Sequence, residues 1–343
     1  MEYVNDINVN EAVIHILDSN ADEPVLNEFS LELDEDIYKY IYKHTERALN
    51  DENLAYGKFK EGRNIVKEVV QDYLNGIENN IIDLSKELAR QLFFIMKGNV
   101  NIPIGDLIIV SLMTDQGPMI GILKMDYIKN FTHEIQFIEQ KIGIGIIPQE
   151  AGLPSNKINK AAFIKPVRED EQYNLFILDK QRPSKDEEYG ANYFINSFLG
   201  ASIITNERDS TKNFMRYSEE WIRRNITDDA AMSEEVRVNI KNKLREEENF
   251  NIDEVAEELF KENPIMKESF AIDMKMKCAD ENVYIDERYI DKRLKRVRLN
   301  IDKQIDLYIN SDAYKDKSKF EVVRNGDGSI NLVIKNVINY IEK

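Results

Sequence analysis

Cysteine, histidine and long apolar runs are all scarce in this chain. Cys278 is the only cysteine among 343 residues, so no internal disulfide can form. The three histidines, His15, His44 and His133, show no i,i+4 pairing and lie far from Cys278. The close ligand spacing of a zinc site is therefore missing, and all three read as structural or surface residues. The longest apolar stretches, "LARQLFFIMKG" and "PIGDLIIVSLM", are broken by charge or glycine and fall short of the ~18 residues of a membrane span. The N-terminus, "MEYVNDINVNEAV", is too acidic and polar for a secretory signal. Together these features predict a cytoplasmic protein.

Catalytic signatures are missing too. "GKFKEGRN" spaces Gly57 and Gly62 as in a P-loop, but Arg63 and Asn64 stand where a phosphate-binding Lys and a magnesium-binding hydroxyl are needed. "GIGII" has Gly143 and Gly145, but Ile147-Pro148 follows where a nucleotide-binding helix would open, so a β-bulge or bend is expected. No Gly-x-Ser-x-Gly elbow occurs. Cys278 ends an amphipathic stretch and reads as a packed thiol. Trp221 falls at a core position of a helical pattern. Acid runs such as Asp228-Asp229 and Glu246-Glu247-Glu248 read as solvated faces. No catalytic residue, metal or cofactor is predicted.

What the chain has in abundance is negative charge, with a formal net of -17. Such a surface repels phosphate at long range and argues against indiscriminate nucleic-acid binding. The charge is polarised, however. From Tyr284 to Lys343 there are 13 Lys and Arg against 10 Asp and Glu.

The patterns predict an α+β protein. Residues 1–185 read as a domain with an antiparallel sheet and helices. In it, "EAVIHILD" is a strand, Asp34 caps a helix, "RNIVKEVVQDYLNG" is a helix stopped by Gly76, and another helix ends at Gly98. Asp115-Gln116-Gly117-Pro118 marks a hairpin, and "EIQFIEQKIGIGIIP", "KAAFIKPV" and "YNLFILDK" add strands. Residues 186–343 read as a helical domain closed by a small β unit and bearing a basic ridge. "EEYGANYFINSFLGAS" is taken as its first helix, Asn263-Pro264 as a later helix start, and Asn325-Gly326-Asp327-Gly328 as a terminal hairpin turn.

The ridge is "DERYIDKRLKRVRLNID", residues 286–302. Asp286 can cap a short helix running to about Leu294, on which Arg288, Lys292 and Lys295 share one stripe. The period then switches. Val297, Leu299 and Ile301 alternate with Arg296, Arg298 and Asn300, as in a half-buried strand. The candidate DNA-binding residues are thus Arg288, Lys292, Arg293, Lys295, Arg296 and Arg298. A continuous row of cations can follow a phosphate backbone without reading bases. It can equally dock on the protein's own acids or on another copy, and the residues alone leave both open.

"YFINSFLGAS" resembles the signature of the bacterial 37-kilodalton nucleoid-associated protein family. "AVIHILD" followed by "PVLNEFSLELDEDIYKYIYKH", the acidic "EEENFNIDEVAEELF", and the closing "RLKRVRLNIDKQIDLYI" and "FEVVRNGDGSINLVIKN" are similar to that family in order and spacing, over nearly the whole chain. Ala201 departs from it, standing where many relatives are expected to carry Cys. The resemblance implies a nucleoid location and tips the ridge toward DNA. With no base-reading motif beside the ridge and no catalytic signature, the expectation is a non-catalytic, weakly sequence-dependent binder of double-stranded DNA in chromosome organisation. The alternatives are an acidic adaptor for chromosome-associated proteins and a metal-dependent nucleic-acid enzyme. A membrane partner is not expected, and a homodimer is compatible with the sequence.

Overall fold

A computed structural model describes the chain apart from residues 1, 100, 129, 139–140, 150–151, 156, 169, 181–191, 228, 279, 303, 325–328 and 340–343. Two compact units emerge, Glu2–Thr205 and Asn206–Lys343.

The first unit contains β1 (Ile7–Leu17), α1 (Glu35–Leu49), β2 (Leu54–Phe59), α2 (Ile65–Leu74), α3 (Ile81–Lys97), β3 (Gly105–Thr114), β4 (Gly117–Asp126), β5 (Asn130–Ile138), β6 (Lys141–Gln149), β7 (Lys160–Ile164), β8 (Leu175–Asp179), a π-helical turn (Tyr193–Phe198) and β9 (Ala201–Ile204). Seven strands form one antiparallel sheet in the order β1-β3-β4-β7-β8-β2-β9. Its central strands are apolar on both faces because both are covered. Leu107, Ile109, Ile120, Ile122, Ala162 and Ile164 pack with α2, α3 and the π-helical turn. The alternate residues Ile108, Val110, Leu123 and Phe163 are equally buried, on the side of Ile41, Ala48 and Leu49 of α1. The local signals work as expected. Asp34 Oδ1 accepts from Ile37 N–H at 2.8 Å, Gly76 takes φ +72° just past α2, and β3 turns into β4 at Gly117, with φ +95°.

Two expectations fail here. "YFINSFLGAS" does not begin a helical domain. Tyr193–Phe198 is a π-helical turn, and Ala201–Ile204 pairs with β2 at the sheet edge, so both belong to the first unit. Residues 186–191 of the expected helix lie outside the described residues. "GIGII" forms neither bulge nor bend. Gly143 and Gly145 sit in regular register opposite Gln136 and Glu134 in the separate β5–β6 hairpin.

The second unit contains α4 (Glu207–Asn225), α5 (Ala230–Glu246), β10 (Asn249–Asn251), α6 (Ile252–Leu259), α7 (Pro264–Lys277), β11 (Asn282–Tyr284), α8 (Glu287–Leu294), β12 (Arg296–Ile301), β13 (Ile305–Asn310), α9 (Ser311–Lys315), β14 (Phe320–Arg324) and β15 (Ile330–Ile334). Its core gathers Phe214, Trp221, Ile240, Phe250, Val255, Phe260, Phe270, Met274 and Ile290. Trp221 is a core residue, with its ring 5.2 Å from those of Phe260 and Phe270. Asn263 caps α7 ahead of Pro264. β14 and β15 pair as expected, while their turn, Asn325–Gly328, lies outside the described residues.

Candidate nucleic-acid interface

The ridge folds as a helix followed by a strand. α8 ends at Leu294, Lys295 is its C-cap and β12 begins at Arg296. Asp286 begins the helix and also ties it down. One carboxylate oxygen accepts from Tyr289 N–H at 3.0 Å, and the other lies 3.4 Å from Arg208 Nε. The backbone N–H of Asp286 donates to Thr211 Oγ1 at 2.9 Å. Arg208 and Asp286 are both buried, so this ion pair fastens the start of α8 to α4. The far end is held as well. Arg245 Nη2 donates to the Leu294 carbonyl at 2.9 Å and to Ser311 Oγ at 2.8 Å.

On this frame Arg288, Lys292, Arg293, Lys295 and Arg296 are exposed. Arg298 occupies β12 at the register position opposite Tyr308. The ribbon β12–β13 has two unlike faces. Val297, Leu299 and Ile301 pair with Ile309, Leu307 and Ile305, while Arg296, Arg298 and Asn300 pair with Asn310, Tyr308 and Asp306. Five of the expected cations thus lie at the surface of one continuous helix–strand segment, and the sixth shares its register.

Several cations elsewhere in the same unit are neutralised by carboxylates. Arg224 pairs with Asp273, Arg237 with Glu219, Lys243 with Glu247 and Glu258, and Lys275 with Asp253. Burial alone would raise the Glu219 carboxyl, but Arg237 and Arg223 outweigh it and hold it below the usual carboxylate range. Among the described residues, no carboxylate forms an ion pair with Arg293, Lys295 or Arg296.

A second charged cluster went unforeseen. Lys124 and Lys160 are fully buried at one end of the first unit's sheet, directly paired across β4 and β7. Lys124 Nζ lies 3.1 Å from Asp126 Oδ1 and 3.1 Å from the Pro103 carbonyl. Lys160 Nζ lies 2.5 Å from Asp179 Oδ1 and 4.8 Å from the centre of the Tyr193 ring. Burial lowers both ammonium pKa values, and the neighbouring aspartates pull them back up. Asp106, also buried, acts on Lys124 as well, so carboxylates surround both lysines, and with Lys160 over the Tyr193 ring the cluster reads as an internal fastening of the π-helical turn to the sheet. Strand parity was the available signal, since Lys124 follows Ile120 and Ile122 on one face.

The remaining chemical candidates have structural surroundings. His15 and His44 are buried, whereas His133 is exposed in β5. Cys278 caps the end of α7, and burial pushes its thiol up to about 11, which keeps it protonated and unreactive near neutral pH. Gly57 lies within β2, Gly62 takes φ +106°, and Asn64 caps α2 by accepting from Lys67 N–H at 2.8 Å. Among the described residues, no group of three or more His, Cys, Asp or Glu is placed to hold a metal ion. No helix among them is long and apolar enough to cross a membrane.

The architecture is thus an α+β protein whose distinctive surface feature is an anchored cationic segment. Comparison with family profiles makes the assignment definite. The family described as nucleoid-associated protein YejK matches residues 13–342, and the chain belongs to that bacterial nucleoid-associated family. Comparison with curated protein sequences gives no match.

Proposed function

We propose that the protein binds double-stranded DNA directly at the nucleoid, with little sequence preference and without a catalytic step, through the α8–β12 segment. The carrying observation is that five of the six cations are exposed along one anchored helix–strand segment, where Arg293, Lys295 and Arg296 form no ion pair among the described residues. Desolvating an exposed cation against phosphate releases condensed counterions, and this term is indifferent to base sequence. Anchoring at Asp286 and Arg245 keeps the cations on a fixed backbone, so binding need not order the segment first. Organisation of the chromosome follows as the cellular role of such a binder.

Charge reversal of Arg293, Lys295 and Arg296 to Glu tests this. Each is exposed, so each change should alter stability by less than about 0.5 kcal/mol. Affinity for duplex DNA at low salt should fall by tenfold or more. The control reverses Lys39, Lys43 and Lys58, exposed residues of α1 and β2, and makes the same change in net charge. Undiminished binding by the ridge variant would remove the segment as the DNA site. Failure of the unaltered protein to bind DNA at low salt would favour the adaptor reading, in which the acidic surface engages basic chromosome-associated proteins.

A further inference from the structure

The β5–β6 hairpin is amphipathic, and its apolar face is uncovered. In register, Phe131 faces Pro148, His133 faces Ile146, Ile135 faces Ile144, and Phe137 faces Ile142. All eight side chains share one face of the ribbon. The other face carries Thr132, Glu134 and Gln136 opposite Ile147, Gly145 and Gly143. On the first face Phe131, Ile135, Phe137, Ile142, Ile144 and Ile146 are between 57% and 78% exposed. The hairpin forms its own two-stranded sheet, and among the described residues no other element packs substantially against it. A backbone bond from Ile128 N–H to the Gly152 carbonyl, 3.3 Å, closes its root.

We infer that this face is a self-association surface, covered in solution by the same hairpin of a second copy of the chain. Area is the first argument. Aromatic side chains span about 150–250 Å² each and isoleucines somewhat less, so two phenylalanines and four isoleucines at this exposure present roughly 700–800 Å² per copy. That is the per-partner share of a standard interface of about 1,600 Å², and it exceeds the apolar patch most monomers leave in water.

Charge is the second argument. The row of six carries no charge, so it needs no complementary pattern and fits itself under a two-fold axis. DNA is a poor occupant, because residues 130–149 hold Glu134 and Glu139 against Lys141 alone. Reach is the third. A nine-residue strand extends about 30 Å, while exposed charges are screened beyond about 10 Å at ordinary salt. Two chains of net charge -17 can therefore meet along their hairpins while keeping other acidic surfaces apart.

Sedimentation equilibrium on the full chain tests the inference. At ten micromolar the protein should sediment at twice its mass of 40.1 kDa. Paired Ile135→Lys and Ile144→Lys substitutions, which place two charges opposite each other on the face, should weaken self-association at least tenfold. Thr132→Lys and Gln136→Lys, on the polar face, should leave it intact. A monomeric parent protein at fifty micromolar overturns the inference, as does a dimer indifferent to the apolar-face lysines. If those lysine variants fail to fold, a gentler probe decides. On a Cys278→Ser background, the thiol introduced by Ile144→Cys should alkylate at least fivefold more slowly at ten micromolar protein than at ten nanomolar. A rate independent of protein concentration means that the face stays open, and the inference falls.

Discussion

His15 is held in one tautomer by its neighbours. Its Nδ1 accepts from Asn27 N–H at 3.1 Å, so the proton sits on Nε2, 2.9 Å from Ser85 Oγ. Ser85 in turn donates to the Ile82 carbonyl at 2.8 Å. A second proton would need the lone pair that Asn27 already uses. Burial, with Lys86 and Arg90 nearby, lowers the His15 pKa to about 4 from an ordinary 6.5. The unfolded chain therefore binds the extra proton more readily. The stabilisation from neutral His15 is fully present above about pH 6.5 and fades as pH falls toward 4, by up to about 3 kcal/mol. Urea midpoints should fall across that window, and a His15→Gln variant should show a smaller decline there. Gly200 shows the same local necessity. It has φ +58°, and a Cβ there would lie 1.9 Å from Asn64 Nδ2, which donates to the Leu199 carbonyl at 2.9 Å. The "FLG" of the recognised motif is thus the seat of the α2 cap. Ala201 beside it is fully buried in the core, where a small side chain suffices.

At the level of elements, α8 depends on a few buried groups. Asp286→Ala removes both the helix cap and the partner of buried Arg208, and breaking such a pair costs about 3–5 kcal/mol. Asp286→Asn keeps an oxygen for Tyr289 N–H and should lose less. Urea unfolding of the two variants should rank them in that order. The cap itself, the helix limits at Glu287 and Leu294, and the switch to a strand were all legible, because short-range sterics and periodicity set them. Arg208 and Arg245 were not legible as anchors. Each sits among many other charges on its helix, and its partner lies far along the chain. The π-helical turn was missed for a different reason, since an aromatic-rich segment fits α-helical spacing equally well. The strand identity of Ala201–Ile204 depends on β2, whose location no local pattern reveals. The strand character of "EIQFIEQKIGIGIIP" was legible, but not its pairing as a separate hairpin outside the main sheet, because a strand pattern does not name its partner or what covers its face.

For the whole molecule, the acidic bulk and the basic segment make opposite demands on salt. Lowering salt strengthens the phosphate contacts and also strengthens repulsion of DNA by the remaining surface. If all six ridge cations touch phosphate, the slope of log K against log salt should be no steeper than about -5. DNA affinities measured from 50 to 300 mM salt give that slope directly. Affinity independent of salt would be incompatible with a phosphate-tracking ridge. A dimer would carry two such segments, so the Ile135 and Ile144 lysine variants should also lose avidity on long duplexes while keeping their single-site affinity.

The strand order β8-β2-β9 also constrains the timing of synthesis. β2 leaves the ribosome early, at residues 54–59, while its two neighbours lie at residues 175–179 and 201–204. At bacterial elongation rates of about 5–20 residues per second, that separation is on the order of ten seconds. Until then Leu54, Tyr56 and Phe59, all buried in the finished sheet, have no strand to join. β1, β3 and β4 can pair well before that. The nascent first unit therefore closes in two stages, and the edge exposed between them is the place where a holding chaperone would act.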